Sequence, residues 1–139
     1  MDWILLLGRI LLAQLFIASG VMAHLVQRRG SADYARAVGA PAPDLLVPLS
    51  GLWIITSGVL IILGIWVDLA ALGLIAFLLP ISYYMHAFWK IDDPNMRIMQ
   101  MAQFQKNIAI CGAALILFFL YQQYGEDIGL NIGPAALFD

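Results

Sequence analysis

Four long apolar runs alternate with shorter polar connections along the chain. They cover about residues 4–26, 45–66, 68–88 and 99–121. A helix rises about 1.5 Å per residue, so about 20 apolar residues are needed to cross roughly 30 Å of hydrocarbon. The pattern therefore predicts an all-α protein, an integral membrane four-helix bundle that forms a single transmembrane domain over residues 1–139.

The connection between the first two runs predicts a short interfacial helix over residues 31–38. Ser31 is placed to cap its N-terminus, and Gly39 is placed to end it. The segment is mildly amphipathic, so we expect it to lie on the membrane surface, with a plain loop as the alternative. Asp44 is placed to cap the second membrane helix.

Small and polar residues indicate which faces of the predicted helices turn inward. In the first run the spacing is four, three, four and four for Arg9, Ala13, Phe16, Gly20 and His24. These residues share one helical face, which we expect to look into the bundle. Close-packing faces are also expected from small residues in the second and fourth runs, namely Gly51 and Gly58, and Ala109, Gly112 and Ala113.

Composition supports the membrane prediction and excludes several classes of function. The 139 residues are 63% hydrophobic and 12% charged, against about 45–50% and about 25% in soluble domains. The net charge of −2, with no basic run longer than Arg28-Arg29, argues against a nucleic-acid partner. A single cysteine, Cys111, excludes an intramolecular disulfide and a thiolate-rich metal site. Little chain remains for a soluble catalytic domain.

Basic residues are concentrated on one side of the predicted bundle. The first and third connections carry Arg28, Arg29, Arg36, Lys90 and Arg97. Because cytoplasmic loops are enriched in Lys and Arg, both termini are predicted to lie on the non-cytoplasmic side.

Five polar residues fall near the predicted cytoplasmic ends of helices one, three and four: His24, His86, Gln103, Lys106 and Asn107. One interpretation is a single pocket for a quinone head group, a lipid head group or a small anion, in which Lys106 supplies the cation and the histidines exchange protons. The structural alternative is that Lys106 reaches the interface, Asn107 bonds a neighbouring helix, and the histidines cap loops.

Two further arrangements involve the polar residues. The histidines could ligate a b-type haem, but nothing in the sequence marks a slot for the ring, and no third ligand accompanies them for a metal site. At the opposite end Arg9 and Asp68 lie at similar depths, and we expect a structural ion pair rather than a catalytic one.

The order of several short motifs resembles the DoxX family of small four-helix membrane proteins. They are Arg9 followed by Ser19-Gly20, then Gly39-Ala40-Pro41, the glycine-rich second helix, His86-Ala87-Phe88-Trp89, and Lys106-Asn107 followed by Gly112. The resemblance covers about residues 5–120. One departure is His24, which stands where the family pattern leads us to expect a lysine.

The resemblance implies a bacterial or archaeal inner-membrane protein. The family takes its name from a subunit of a thiosulfate:quinone oxidoreductase, and relatives are linked to membrane redox complexes. The main functional expectation is therefore an accessory or structural subunit of a larger membrane complex, without an intrinsic cofactor and not catalytic by itself. The apolar segment after residue 127 is expected to offer a surface to such a partner. The alternatives are a quinone-reactive oxidoreductase subunit and a carrier that binds lipids or small solutes.

Overall fold

The computed structural model describes residues 1–138, and these residues contain helices and no strands. The α-helices are α1 (Asp2–Ser19), α2 (Arg28–Ala37), α3 (Pro43–Leu63), α4 (Val67–Met85) and α5 (Pro94–Tyr124). A π-helical turn, Gly20–Val26, continues α1, and short 3₁₀ turns span Phe88–Lys90 and Gly125–Asp127. The all-α fold class is thereby confirmed.

Four segments are long and apolar enough to cross a membrane: Asp2–Val26, Pro43–Leu63, Val67–Lys90 and Pro94–Asp127. In the bundle α3 lies against both α1 and α4, and α5 packs along α4. The remaining helix, α2, lies against α3 and the π-helical turn. This arrangement is a four-helix membrane bundle with one short additional helix at one end.

Close packing of α1 on α3 depends on glycine. The predicted inward face of α1 and the π-helical turn is confirmed, because Arg9, Ala13, Phe16, Gly20 and His24 are all buried. A Cβ atom added to Gly51 of α3 would overlap the Cβ of His24, and one added to Gly20 would lie 2.9 Å from the Gly51 carbonyl oxygen. The two backbones therefore approach to a distance that only glycine allows.

The predicted close-packing face of α5 is wrong. Ala109 and Ala113 are exposed, and no atom lies within 4 Å of a Cβ added to Gly112. The buried positions are instead Asn107, Cys111, Ala114, Leu117 and Tyr121. Because a helix turns about 100° per residue, two residues past Asn107 lie about 200° around the axis. Packing through Asn107 therefore turns the small residues outward.

The cap residues predicted around α2 and α3 are also corrected. Helix α2 begins at Arg28, so Ser31 lies within its first turn and donates to the Ala23 carbonyl at 2.7 Å instead of capping. Asp44 makes no cap and instead accepts from Arg36 at 2.7 Å. The hydrogen bonds to Asp44 and then to Asp33 raise the pKa of Arg36 above its ordinary value.

Helix ends around the third connection differ from the sequence prediction. Helix α4 ends at Met85 rather than at residue 88, and α5 begins at Pro94 rather than at residue 99. The side chain of Asp93 accepts from the Met96 amide at 2.7 Å and caps α5, while Pro94 fits the first helical position. The longer α5 brings a further turn of helix beside the end of α4.

The segment 128–138 folds back across the end of the bundle where α4 begins. Its carbonyl groups at Pro134 and Ala135 accept from the amides of Trp66 and Val67 at 2.8 and 2.9 Å. Amides at a helix N-terminus have no partner inside the helix, so these bonds cap α4. The segment, which we call the C-terminal strap, is thus engaged by the chain itself, although Ile132 and Phe138 stay exposed.

Candidate ligand cavity

A cavity of about 380 Å³ lies at the end of the bundle opposite the C-terminal strap. It is bounded by the π-helical turn, α2, the start of α3 and the end of α4. Most lining residues are apolar, and the polar ones are Ser19, His24, Ser31, Tyr34, Ser50, Tyr84 and His86. Cavities of this size and character commonly hold a small molecule whose position is fixed by a few polar groups.

His24 enters the cavity wall from the π-helical turn. The Gln27 amide donates to the Met22 carbonyl at 2.9 Å, a bond across five residues that marks the wider turn. The His24 ring is 7% exposed and meets Phe77 of α4 edge-on, with 5.5 Å between ring centroids. The turn and the glycine contact with α3 together set the depth and direction of this side chain.

The surrounding acceptors fix the tautomer of His24. Its Nδ1 lies 3.0 Å from the Val47 carbonyl oxygen and 3.0 Å from the Ser50 hydroxyl. The carbonyl can only accept, and Ser50 already donates its hydrogen to that same carbonyl at 2.9 Å. Nδ1 therefore carries the hydrogen, which leaves Nε2 of the neutral ring with a free lone pair.

His86 lies where α4 ends, on another wall of the same cavity. Its Nδ1 is 2.7 Å from the side-chain carbonyl oxygen of Gln100 in α5. An amide oxygen only accepts, so Nδ1 again carries a hydrogen, and in the neutral form of the ring Nε2 is an acceptor. Gln100 was absent from the sequence prediction because it lies just inside the predicted start of the fourth membrane helix.

Two hydrogen bonds hold α2 against the cavity. The Tyr34 hydroxyl donates to the Met85 carbonyl at 3.0 Å, and Ser31 donates to the Ala23 carbonyl at 2.7 Å. The first bond joins α2 to the end of α4, and the second joins it to the π-helical turn. Helix α2 thus covers a cavity built by three membrane helices.

The predicted five-residue pocket is only partly assembled. His24 and His86 line one cavity, whereas Gln103, Lys106 and Asn107 of α5 lie outside it. Exposed Lys106 donates to Gln103 on the same helix. The Asn107 side chain donates to Ser82 of α4 at 3.0 Å. These α5 contacts agree with the structural alternative, in which Asn107 bonds a neighbouring helix.

At the opposite end, Arg9 is buried and forms no salt bridge with a carboxylate of residues 1–138. Its guanidinium donates to the Tyr121 hydroxyl at 2.5 Å, to the Asn131 side chain at 2.8 Å and to the Leu130 carbonyl. Its Nε has no hydrogen-bond partner among the described residues. All three acceptors are neutral, and two of them belong to the C-terminal strap.

Asp68 is fully buried and also binds the C-terminal strap. It accepts from the amides of Leu137 and Phe138 and from the side chain of Gln122, each at 2.9 Å. The expected direct ion pair between Arg9 and Asp68 does not form in the described part of the chain. Each charge is instead satisfied by groups from α5 and the strap, whose return to the bundle the sequence pattern did not predict.

Residues 1–138 contain no group of three or more His, Cys, Asp or Glu side chains arranged to hold a metal ion. The polar residues that sequence reasoning missed are Tyr34, Ser50, Gln100, Tyr121 and Asn131. Ser50 comes directly before Gly51 in the sequence, and this neighbour on a predicted packing face was the one available signal for it.

Comparison with known proteins places these features in a family. The DoxX family model matches residues 4–87, which is more than half of the chain. Inner membrane protein YphA of Escherichia coli strain K12 is 29% identical over 118 residues, covering 82% of this chain and 80% of that protein. No solved structure matches the chain. The matched range holds the inward face of the first helix, α2 and both cavity histidines, and the chain belongs to the DoxX family of multi-pass membrane proteins.

Proposed function

We propose that this protein binds a small amphipathic molecule from the bilayer in the cavity beneath α2, and that it does so in an inner membrane. The observation that carries the proposal is one cavity with a mostly apolar wall and two histidines whose tautomers are fixed by protein acceptors. An apolar lining suits a hydrocarbon tail, and a few oriented polar groups suit a compact head group.

The position of the cavity favours a ligand that arrives through the membrane. Pro80 and Leu46 line it and are also exposed on the outside of the bundle, where lipid would surround them. The histidine end lies beside α2, at the depth expected for head groups. A lipid or a molecule of the quinone class, in its quinone or hydroquinone form, meets both requirements, and the quinone class is the cofactor class that we propose for the site.

A test uses the mass spectrum of small molecules that stay bound to the protein after mild detergent extraction. We expect a stoichiometric amphiphile on the wild-type protein and its loss from Ala23→Leu, because the larger side chain would occupy the cavity. Lys106→Ala, outside the cavity, should keep the ligand. An empty wild-type protein that also binds no added decyl-ubiquinone or decyl-ubiquinol would refute the proposal.

A second candidate function is that of an accessory subunit in a larger, redox-linked membrane complex. It is favoured by the exposed Ala109 and Ala113 of α5, which flank Gly112 and leave a small-residue face without a partner in the described chain. Small residues allow close helix contact in membranes. Purification from the native membrane should then recover a stoichiometric partner, and Ala109→Leu should remove it while Leu115→Ala does not. Recovery of the protein alone would reject this role.

A further inference from the structure

We infer that the cavity selects a neutral ligand whose head group donates hydrogen bonds, namely an alcohol or phenol on a hydrocarbon tail. This inference rests on the proposed function and specifies its ligand. It follows from the direction of every hydrogen bond that the polar lining residues make with the protein.

The hydroxyl groups of three lining residues use their hydrogens within the protein. Ser31 donates to the Ala23 carbonyl, Tyr34 to the Met85 carbonyl and Ser50 to the Val47 carbonyl. A hydroxyl has one hydrogen and two lone pairs, so each of these groups is left with accepting capacity only.

The two histidines also present hydrogen-bond acceptors to the cavity. In each ring Nδ1–H is committed, to Val47 and Ser50 for His24 and to Gln100 for His86. In the neutral form of each ring, the remaining nitrogen accepts. Five of the seven polar lining residues therefore present acceptors, and only Ser19 and Tyr84 keep hydroxyl hydrogens without a recorded bond in the described chain.

Charge narrows the class of ligand further. None of the described residues that line the cavity is a Lys, Arg, Asp or Glu. An anionic head would enter a largely apolar space with neither a cation nor many donors, and an ammonium head would lack a carboxylate. A carbonyl-only head such as a quinone could accept only from the Ser19 and Tyr84 hydroxyls and would face lone pairs at the other five polar residues. A hydroquinone or a long-chain alcohol supplies the hydrogens that these acceptors lack.

Two pairs of probes test the inference on the full-length protein in detergent. Decyl-ubiquinol and decyl-ubiquinone share a tail and differ in hydroxyl against carbonyl, and dodecanol and dodecyl methyl ether differ in one donor. We expect the hydroxyl member of each pair to bind about tenfold more tightly, because an unmet buried acceptor carries a penalty of that size. Preference in both pairs defines a general alcohol site, whereas preference in the first pair alone defines a hydroquinone site.

The preference should depend on the histidine acceptors. His24→Phe is expected to reduce it to less than about threefold, since one acceptor is lost. His86→Phe, at a half-buried helix end, provides the same test if His24→Phe does not fold. Lys106→Ala should retain the full preference.

The outcomes separate this inference from the proposed function. Equal binding within both pairs, or tighter binding of the quinone or ether, would overturn the donor-selective site while leaving a ligand cavity. A preference that persists in both histidine variants would overturn it as well. Absence of binding by all four probes would overturn the inference together with the proposed function.

Discussion

Arg9 stabilises the fold through neutral partners. Buried charges are usually matched by an opposite charge, and removing such a pair altogether is often harmless. Here the cost of burying the guanidinium is offset by Tyr121, Asn131 and the Leu130 carbonyl. Loss of the arginine would leave the Tyr121 oxygen and the Leu130 carbonyl without this donor, whereas Asn131 would keep the Tyr121 hydroxyl as a donor at 3.2 Å.

Arg9→Leu is therefore expected to destabilise the protein by about 2–4 kcal/mol, since each hydrogen bond to a charged group contributes about 1.5–3 kcal/mol. Thermal unfolding in detergent, followed by circular dichroism, measures this change. Exposed Arg29→Leu is the control and should unfold like the wild type. Equal melting of Arg9→Leu and the wild type would show that the arginine is not needed for stability.

Residue patterns predicted burial better than they predicted partners. The four- and three-residue spacing placed Arg9 and His24 on the inward face because helical geometry alone determines that face. Their partners lie 23 or more residues away in sequence. Arg9 was assigned to Asp68 because no local signal indicated that residues 130 and 131 would return to it. His24 and His86 line one cavity, whereas the place of Lys106 depends on the rotation of α5, which the sequence pattern did not specify.

At the scale of elements, two glycines in different environments explain how the helices associate. Gly51 faces the Cβ of His24 at the contact of α3 with the π-helical turn, whereas Gly112 of α5 has open space where a Cβ would lie. Both were predicted as packing glycines because each has another small residue along its helix, Gly58 for Gly51 and Ala109 for Gly112. Only the helix rotation in the bundle distinguishes them.

Gly51→Ala should destabilise the protein by about 1–3 kcal/mol, because the added methyl group overlaps His24 and forces the helices apart. Gly112→Ala is the matched control, and it should be neutral or stabilise by about 0.5–1 kcal/mol through reduced backbone freedom in the unfolded chain. Chemical denaturation of both variants in the same detergent gives the comparison. Equal effects would contradict the packing described here.

The C-terminal strap is held to the bundle by Asp68 as well as Arg9. Asp68 offers only acceptors to the amides of Leu137 and Phe138, whereas asparagine would direct an amino group toward at least one of them. Asp68→Asn should therefore loosen the strap without unfolding the membrane helices.

Labelling of a cysteine placed in the strap detects that loosening. In Ala136→Cys, with Cys111 replaced by alanine, maleimide modification should be slow, because Ala136 is 7% exposed. Addition of Asp68→Asn should accelerate it about tenfold or more, because one hydrogen bond to a charged group contributes about 1.5–3 kcal/mol. Exposed Asp2→Asn is the control. An unchanged rate in the Asp68 variant would mean that other contacts hold the strap.

At the scale of the whole molecule, the cavity and the strap occupy opposite ends of the bundle. The basic residues Arg28, Arg29, Lys90 and Arg97 belong to the cavity end, which the positive-inside rule assigns to the cytoplasm. Alkaline phosphatase fused after residue 139 should therefore be active in bacterial cells, and a fluorescent protein at the same point should be dark. The reverse result would place the C-terminus in the cytoplasm and contradict this orientation.

The four-span fold could be predicted from the sequence because hydropathy, length and helical spacing act locally. The cavity could not, because it needs the wider π-helical turn, the earlier start of α5 and the position of α2 over α3. Each of these depends on contacts between segments far apart in sequence. Membership in the DoxX family supports the fold, while the ligand has to be established on this protein.

The most direct test of the ligand cavity is photo-crosslinking in vesicles with a long-chain alcohol that carries a diazirine on its tail, followed by peptide mapping. We expect modification concentrated in the π-helical turn, α2 and the end of α4, and suppressed by Ala23→Leu but not by Lys106→Ala. Labelling spread over the outer faces of the bundle, or centred on residues 103–107 and unaffected by Ala23→Leu, would contradict a ligand site beneath α2.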